Sequence, residues 1–346
     1  MRVAELVSPH RFRVVEQAQP EPGPGEVQVR VSSVGICGSD LHNFSEGSVG
    51  DSKSRFPMVL GHEPAGTVVK CGSGVTGWSP GDPVLVEPAC YCYHCEYCRA
   101  GNHNVCANLR FLSQPGIPGF FSDYVTVQVK NLLPLPAGLS MPVGTLFEPL
   151  AVILHSMRLV SMQLGETAAV FGAGPIGLLT IITLKLNGAS RVWAVEPVAH
   201  RRQMARAAGA DAAMEPSEAV RQILADTGKR GVDLAIDCAA KGESSNDCLR
   251  VVRAAGRVAL TGIHSEIDTG LNLHEARRKE VPIICVRRSN HESELAVELL
   301  CEQKRFSDLV THTRPLDEIE KTFFTLESYA DGVGKVVMDL ASSSAP

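Results

Sequence analysis

Ala168-Ala-Val-Phe171-Gly172-Ala-Gly174-Pro175-Ile176-Gly177 is the stretch whose reading decides the fold. Four apolar residues of strand character run into G-x-G-x-x-G, and a helical stretch, Leu178 to Asn187, follows and ends at Gly188. The glycine pattern alone is weak, but between a strand and a helix it is the phosphate turn of a dinucleotide-binding βαβ unit. The first glycine permits the tight turn, the second lets backbone amides approach a diphosphate, and the third lets helix and strand pack closely. The diphosphate then rests on the positive end of the helix. Glu196 closes the next strand, Arg191-Val-Trp-Ala-Val195, 24 residues after Gly172. A carboxylate there accepts from ribose hydroxyls and repels a 2′-phosphate, so NAD is expected ahead of NADP. Arg201 and Arg202 soften that preference, because a nearby arginine can receive the phosphate. The expected cofactor-binding set is Gly172, Gly174, Pro175, Ile176, Gly177, Glu196 and Arg201.

Downstream the pattern repeats. A basic helix over His200 to Ala208 and strands at Val232–Ile236 and Gly256–Leu260 predict alternating strands and helices, hence a parallel sheet covered on both faces. Upstream, the first ~145 residues are rich in Pro and Gly with short β-like runs: Val27–Val34, which alternates, then Gly66–Val69 and Pro83–Val86. Pro149 to Leu159 reads as a helix at the junction. An amphipathic helix over Glu292 to Glu302 leads to a last strand, Gly334–Asp339, and Ala341 to Pro346 reads as a frayed tail. The expected organisation is 1–147 as a mostly-β catalytic domain, 148–289 as a doubly wound Rossmann domain, and 290–346 returning to the first. At 346 residues two domains are expected. A net charge of -5 argues against a nucleic-acid surface. No apolar run reaches ~18 residues, so no membrane span is expected, and the start lacks the apolar core of a signal peptide. Cytoplasmic location is the default expectation.

Cys92, Cys95, Cys98 and Cys106, spaced C-x2-C-x2-C-x7-C in a lobe of about 88–108, suit one closed tetrahedral zinc of structural type. The other cysteines outside Cys37 (Cys71, Cys90, Cys238, Cys248, Cys285, Cys301) are expected to be buried small hydrophobes. A second constellation is dispersed over Cys37-Gly-Ser39-Asp-Leu-His42, Gly61-His62-Glu63-Pro-Ala-Gly66 and Phe147-Glu148-Pro-Leu-Ala151. Each piece carries a thiolate, imidazole or carboxylate suited to a catalytic zinc with an open position. His62-Glu63 matches neither the metalloprotease spacing nor the deaminase H-x-E.

These motifs, with Gly81-Asp82, stand in the order found in zinc-dependent medium-chain dehydrogenases, the alcohol dehydrogenase superfamily, and the chain resembles that family over nearly its whole length. The resemblance implies a GroES-like catalytic domain beside the Rossmann domain. It implies a catalytic zinc held by Cys37, His62 and Glu63, with Glu148 a ligand or nearby through a water. Ser39 and then His42 would pass the proton to solvent. Glu148, in place of a cysteine, is similar to the polyol and threonine dehydrogenases. Val286-Arg287-Arg288-Ser289-Asn290 resembles the polyol branch's Phe-Arg-Tyr-x-Asn segment, so Arg287 and Asn290 are the expected substrate residues. Val286 and Arg288 depart from it. The implied activity is NAD-dependent oxidation of a secondary, polyol-like alcohol to a ketone by a homodimer or homotetramer. The alternatives are a threonine- or butanediol-type dehydrogenase, or a zinc- and nucleotide-binding redox sensor without turnover.

Overall fold

The alternation at Val27–Val34 forms a ten-residue strand, Glu26–Gly35, whose Val27, Val29, Val31 and Val34 are buried. This strand organises a seven-stranded sheet. Its antiparallel partners are Glu63–Cys71, Tyr124–Gln128 and Lys335–Asp339, and the sheet continues through Pro83–Val86 and Leu132–Pro134 on one side and Val310–Pro315 on the other. The register sets Gly35 opposite both Glu63 and Val337. A cluster including Phe12, Phe44, Phe120, Phe121 and Phe323 fills the core. The computed structural model describes residues 1–341, so the frayed-tail reading falls, from 342 on, outside the described residues. Met1–Glu148 and the segment from Ser293 form this first unit, and Pro149–Glu292 forms the second. The chain thus changes unit after Glu148 and again at Ser293, against expected boundaries at 147/148 and 289/290.

The second unit carries six parallel strands: β1 (Thr167–Phe171), β2 (Arg191–Val195), β3 (Ala212–Met214), β4 (Val232–Asp237), β5 (Val252–Leu260) and β6 (Ile283–Cys285). Their order is 3-2-1-4-5-6, the doubly wound arrangement. All six residues of β4 are buried, as a strand covered on both faces requires. The helix after β1 begins at Pro175, earlier than Leu178, with Gly174 as its N-cap. Proline fits the first helical turn, where no backbone donor is needed.

One helix has the composition of a membrane span, and one expectation, on the cysteines, is corrected. Met141–Val160 is long and apolar enough to cross a membrane by composition, but 78% of its window is buried inside the protein. Leu146, Phe147, Leu150, Ile153 and Val160 are fully buried, so the apolarity serves the core. Among the six scattered cysteines only Cys248 is buried, while Cys285 and Cys301 are exposed. Cys285 ends the last strand, at the edge of the sheet, where no further strand covers it.

Asp233, near the start of β4, holds the base of the second unit. It accepts from the Thr167 amide (2.9 Å) and hydroxyl (2.7 Å), from Arg230 (2.6 Å) and from Arg253 (2.7 Å). Burial opposes its charge, but these donors outweigh burial and hold the carboxyl well below the usual aspartate range. A depressed carboxyl stabilises the fold above its unfolded pKa of ~3.9 and loses that contribution as pH falls toward the folded value. Asp233→Asn is expected to lower stability at pH 7 by about 1–3 kcal/mol. The wild-type advantage should shrink as pH drops below about 4. Denaturant midpoints of both proteins across that pH range check this, and a gap independent of pH would refute it.

Candidate metal centres and cofactor loop

In the cysteine lobe the tight turns aim backbone amides at sulfur. Cys95 N–H points to Cys92 Sγ (3.4 Å), Cys98 N–H to Cys95 Sγ (3.5 Å) and Cys92 N–H to Cys106 Sγ (3.4 Å). Sulfur–sulfur separations are 3.4 Å for Cys92–Cys106, 3.9 Å for Cys95–Cys106 and 4.0 Å for Cys92–Cys98, and all four cysteines are free. A tetrahedron of ~2.3 Å zinc–sulfur bonds has edges of about 3.8 Å, so the four sulfurs fit one zinc. Backbone donation, first at His94, brings the Cys92 thiol down to about 5. Desolvation and then the neighbouring sulfurs push Cys98 up to about 12. Four thiolates crowded this closely need a cation to remain ionised together.

The second constellation comes from two chain segments joined by the sheet register. Cys37 caps the helix Gly38–Glu46, and His62 and Glu63 stand where Glu63–Cys71 begins. Their ligand atoms all lie within 4.8 Å of one another. His62 and Glu63 are buried. Glu63 has no exposed surface, and Gly35 makes room for it: a Cβ there would lie 2.1 Å from Glu63 Oε2. Glu148 is outside the trio. It is buried, and its carboxyl is pushed up to about 8, by burial first and then by Glu63 and Glu87, against the pull of His62.

Two residues that sequence reasoning passed over complete this centre. Asp40, at 1% exposure, accepts from the Cys37 amide (3.0 Å) and the Gly61 amide (3.1 Å), and its Oδ1 lies 3.4 Å from His62 Nδ1. Burial works against that carboxylate, but His62 and the two amides hold it below its usual range. Burial likewise opposes charge on His62, yet Asp40 and Cys37 raise it well above the usual histidine value. A carboxylate behind Nδ1 fixes the ring so that Nε2 is the atom free to bind a metal. Lys335, from the last strand, is equally buried, in ion-pair contact with Glu63 Oε2 and hydrogen-bonded to the Ile36 carbonyl (2.9 Å). Neither Glu63 oxygen receives a directed hydrogen bond, so a buried anionic lone pair remains for a metal. The spacing from Cys37 to Asp40 carried a faint signal for the aspartate, since an acidic residue three after an N-cap position forms a capping box. Nothing local could have pointed to Lys335.

Ser39 and His42 lie three residues apart on the helix Gly38–Glu46. His42 Nδ1 pairs with Glu46 (2.9 Å) and its side chain is partly exposed. In the second unit the phosphate turn is shaped as expected. Gly177 is obligatory, because a Cβ would lie 1.9 Å from the Gly172 carbonyl oxygen. Glu196 is buried at 4% exposure, and its two oxygens accept from the Ala173 amide (2.8 Å) and the Val198 amide (2.9 Å). It therefore ties the end of β2 to the phosphate turn. Arg201 is buried and approaches Gly174, whereas the Arg202 guanidinium is committed to the carbonyls of Glu196 (2.9 Å) and Pro197 (2.6 Å) and to Glu215 (3.0 Å). Arg287 is exposed, while Asn290 is buried with its amide on Glu292. Both belong to the second unit, not the one that carries the trio.

Residues 23–137 match the alcohol dehydrogenase GroES-like domain and residues 175–302 match the zinc-binding dehydrogenase family. Human sorbitol dehydrogenase is 34% identical over 95% of this chain and 93% of its own length. A probable D-xylulose reductase A of Emericella nidulans is 34% identical over 91% of this chain and 90% of its own. A zinc-binding dehydrogenase of Sinorhizobium meliloti, solved bound to NADP, superposes with a TM-score of 0.88 at 30% identity, covering 98% of this chain and 99% of that one. The chain belongs to the zinc-dependent alcohol dehydrogenase family. It is an oxidoreductase acting on CH–OH groups, with zinc and a nicotinamide nucleotide as the family's cofactors.

Asp40→Asn removes the carboxylate behind His62. It is expected to weaken zinc retention at the trio by about 10- to 100-fold. Competition with a chelator, followed by metal analysis, reads this. Loss of the lobe's zinc in preference to the trio's would contradict it. Cys95→Ser should lower the melting temperature before it touches turnover, and a variant with native melting but no activity would mean that the roles of the two centres are reversed.

Proposed function

We propose that the protein oxidises a polyol-like secondary alcohol to a ketone with NAD, using zinc held by Cys37, His62 and Glu63, while Cys92, Cys95, Cys98 and Cys106 hold a structural zinc. The observation that carries this reading is the convergence of the Cys37, His62 and Glu63 ligand atoms within 4.8 Å, with the Glu63 oxygens lacking any directed hydrogen bond. Three protein ligands leave an open position, as a catalytic site requires and a closed four-cysteine site does not. When bound, zinc supplies Lewis acidity to the alcohol oxygen, and the nicotinamide supplies the hydride acceptor.

The chain's own residues do the rest. Asp40 orients His62. Glu148, whose carboxyl feels both His62 and Glu63, is the proposed further ligand, directly or through a water. Residues at i and i+3 share a helix face, so Ser39 and His42 offer a short route for the alcohol proton. Glu46 on Nδ1 leaves His42 Nε2 to exchange with solvent. Arg287 and Asn290 are the proposed substrate residues. Polyol chemistry is favoured because the relatives at 34% identity are named a sorbitol dehydrogenase and a D-xylulose reductase. NAD is favoured over NADP because the buried Glu196 carboxylate follows β2 against the phosphate turn, where it would repel a 2′-phosphate, and Arg202 is already committed. A homodimer or homotetramer in the cytoplasm completes the proposal.

Cys37→Ser should release the catalytic zinc and abolish NADH formation while the melting temperature stays close to the wild-type value. Measured against polyols, sugars, diols and hydroxy amino acids, the wild type should turn over polyols fastest. Full activity in a zinc-depleted Cys37→Ser variant would refute the zinc assignment, and preference for threonine or a butanediol would refute the substrate class. Glu196→Ala should weaken NAD more than NADP, as paired titrations would show; equal losses would remove the ribose role.

A further inference from the structure

Asp237 ends β4 with 1% exposure and accepts four hydrogen bonds that the reading above does not use. Oδ1 takes the amides of Ala239 (3.0 Å) and Ala240 (2.8 Å), and Oδ2 takes the hydroxyls of Ser244 (2.9 Å) and Ser245 (2.6 Å). Ser245 has one proton and gives it to Asp237. At its 3.2 Å contact with His264 Nε2 the serine oxygen must therefore accept, which places a hydrogen on Nε2. With its hydrogen on Nε2, the ring's acceptor is the Nδ1 lone pair.

The location gives that lone pair a use. The Cys238 amide donates to the Phe171 carbonyl (2.8 Å), and the Thr261 and Gly262 amides both donate to the Asp237 carbonyl (2.9 Å each). The segments after β4 and β5 are thus tied to the last residues of β1 and β4, at the carboxyl ends of the strands beside the point where the strand order reverses. That edge is where doubly wound sheets bind dinucleotides, one nucleoside on each half. The phosphate turn and Glu196 lie on the half built from β1 to β3. His264, half-buried just beyond β5, lies on the other.

We propose that His264 is a binding residue for the nicotinamide-riboside half of the dinucleotide, with Ser245 and Asp237 as its positioning residues. Nδ1 accepts from a ribose hydroxyl or from the carboxamide amine, the donors that this half offers. The inference rests on the dinucleotide reading above and adds a side chain to it.

The test compares NADH with ADP, which carries the adenosine and diphosphate but no nicotinamide riboside, by calorimetric titration of the zinc-loaded protein. His264→Ala should weaken NADH by about 3- to 10-fold, the worth of one hydrogen bond, and leave ADP unchanged. Ser245→Ala should shift the NADH-to-ADP ratio the same way, a readout that a merely structural loss would not move. NADH binding equal to wild type in His264→Ala, or equal losses for NADH and ADP, would overturn the proposal. A wild-type protein that bound ADP and NADH with the same affinity would also overturn it, whereas one that bound neither would overturn the dinucleotide reading itself and this inference with it.

Discussion

A carboxylate with no exposed surface has to be matched by positive charge, and Glu63 is that carboxylate. Its neighbours divide the task. Lys335 supplies one fixed ammonium, itself at 1% exposure, and the remaining unbonded lone pairs face the sulfur of Cys37 and the ring of His62. A buried pair of this kind is weak evidence for stability but strong for specificity of placement, because removing either partner strands a charge. The discontinuous organisation of the first unit follows from it. The chain leaves after Glu148, builds the parallel sheet, and returns from Ser293 so that the last strand can lie against Glu26–Gly35 and deliver Lys335.

The two proposed metal centres illustrate opposite solutions to the same electrostatic problem. The cysteine lobe gathers four sulfurs within 4.8 Å of one another with amides pointed at them, and one bound cation would close the coordination shell. The trio offers three ligands of three chemical types and an outer layer (Asp40 behind His62, Lys335 behind Glu63, Glu148 at the side) that fixes their orientation. A closed shell holds a lobe together, and an open one leaves room for a substrate oxygen. The second unit uses buried carboxylates differently again. Asp233 ties strands together at the base of the sheet, whereas Glu196 and Asp237 accept donors at the carboxyl ends and shape the turns that a nucleotide would contact.

Much of this was legible in the sequence because it was local. G-x-G-x-x-G after a strand, C-x2-C-x2-C-x7-C, and the alternation at Val27–Val34 each encode their geometry within ten or fifteen residues. The elements Arg191–Val195 and Pro83–Val86 appear with the bounds their composition suggests. What escaped was non-local or hidden by burial. Lys335 reaches the Ile36 carbonyl across 299 residues of chain, and no periodicity can announce such a contact. Asp40 sat inside a quoted motif, but its place behind His62 depends on the fold bringing Gly61 and His62 to it. The scattered cysteines were misjudged because hydrophobicity sets only a tendency to be buried, and an edge strand leaves Cys285 exposed. Glu196 was expected to accept from ribose hydroxyls, and its burial, with both oxygens on amides of the turn it helps to shape, had no local signal.

The central claim is that Cys37, His62 and Glu63 form one zinc shell separate from the four-cysteine shell. Anomalous diffraction at the zinc edge on crystals of the zinc-loaded protein tests it most directly. The account predicts two peaks per chain, one amid the sulfurs of Cys92, Cys95, Cys98 and Cys106, the other within bonding distance of Cys37 Sγ and His62 Nε2. A single peak in the cysteine lobe, with Glu63 still matched by Lys335 alone, would contradict it.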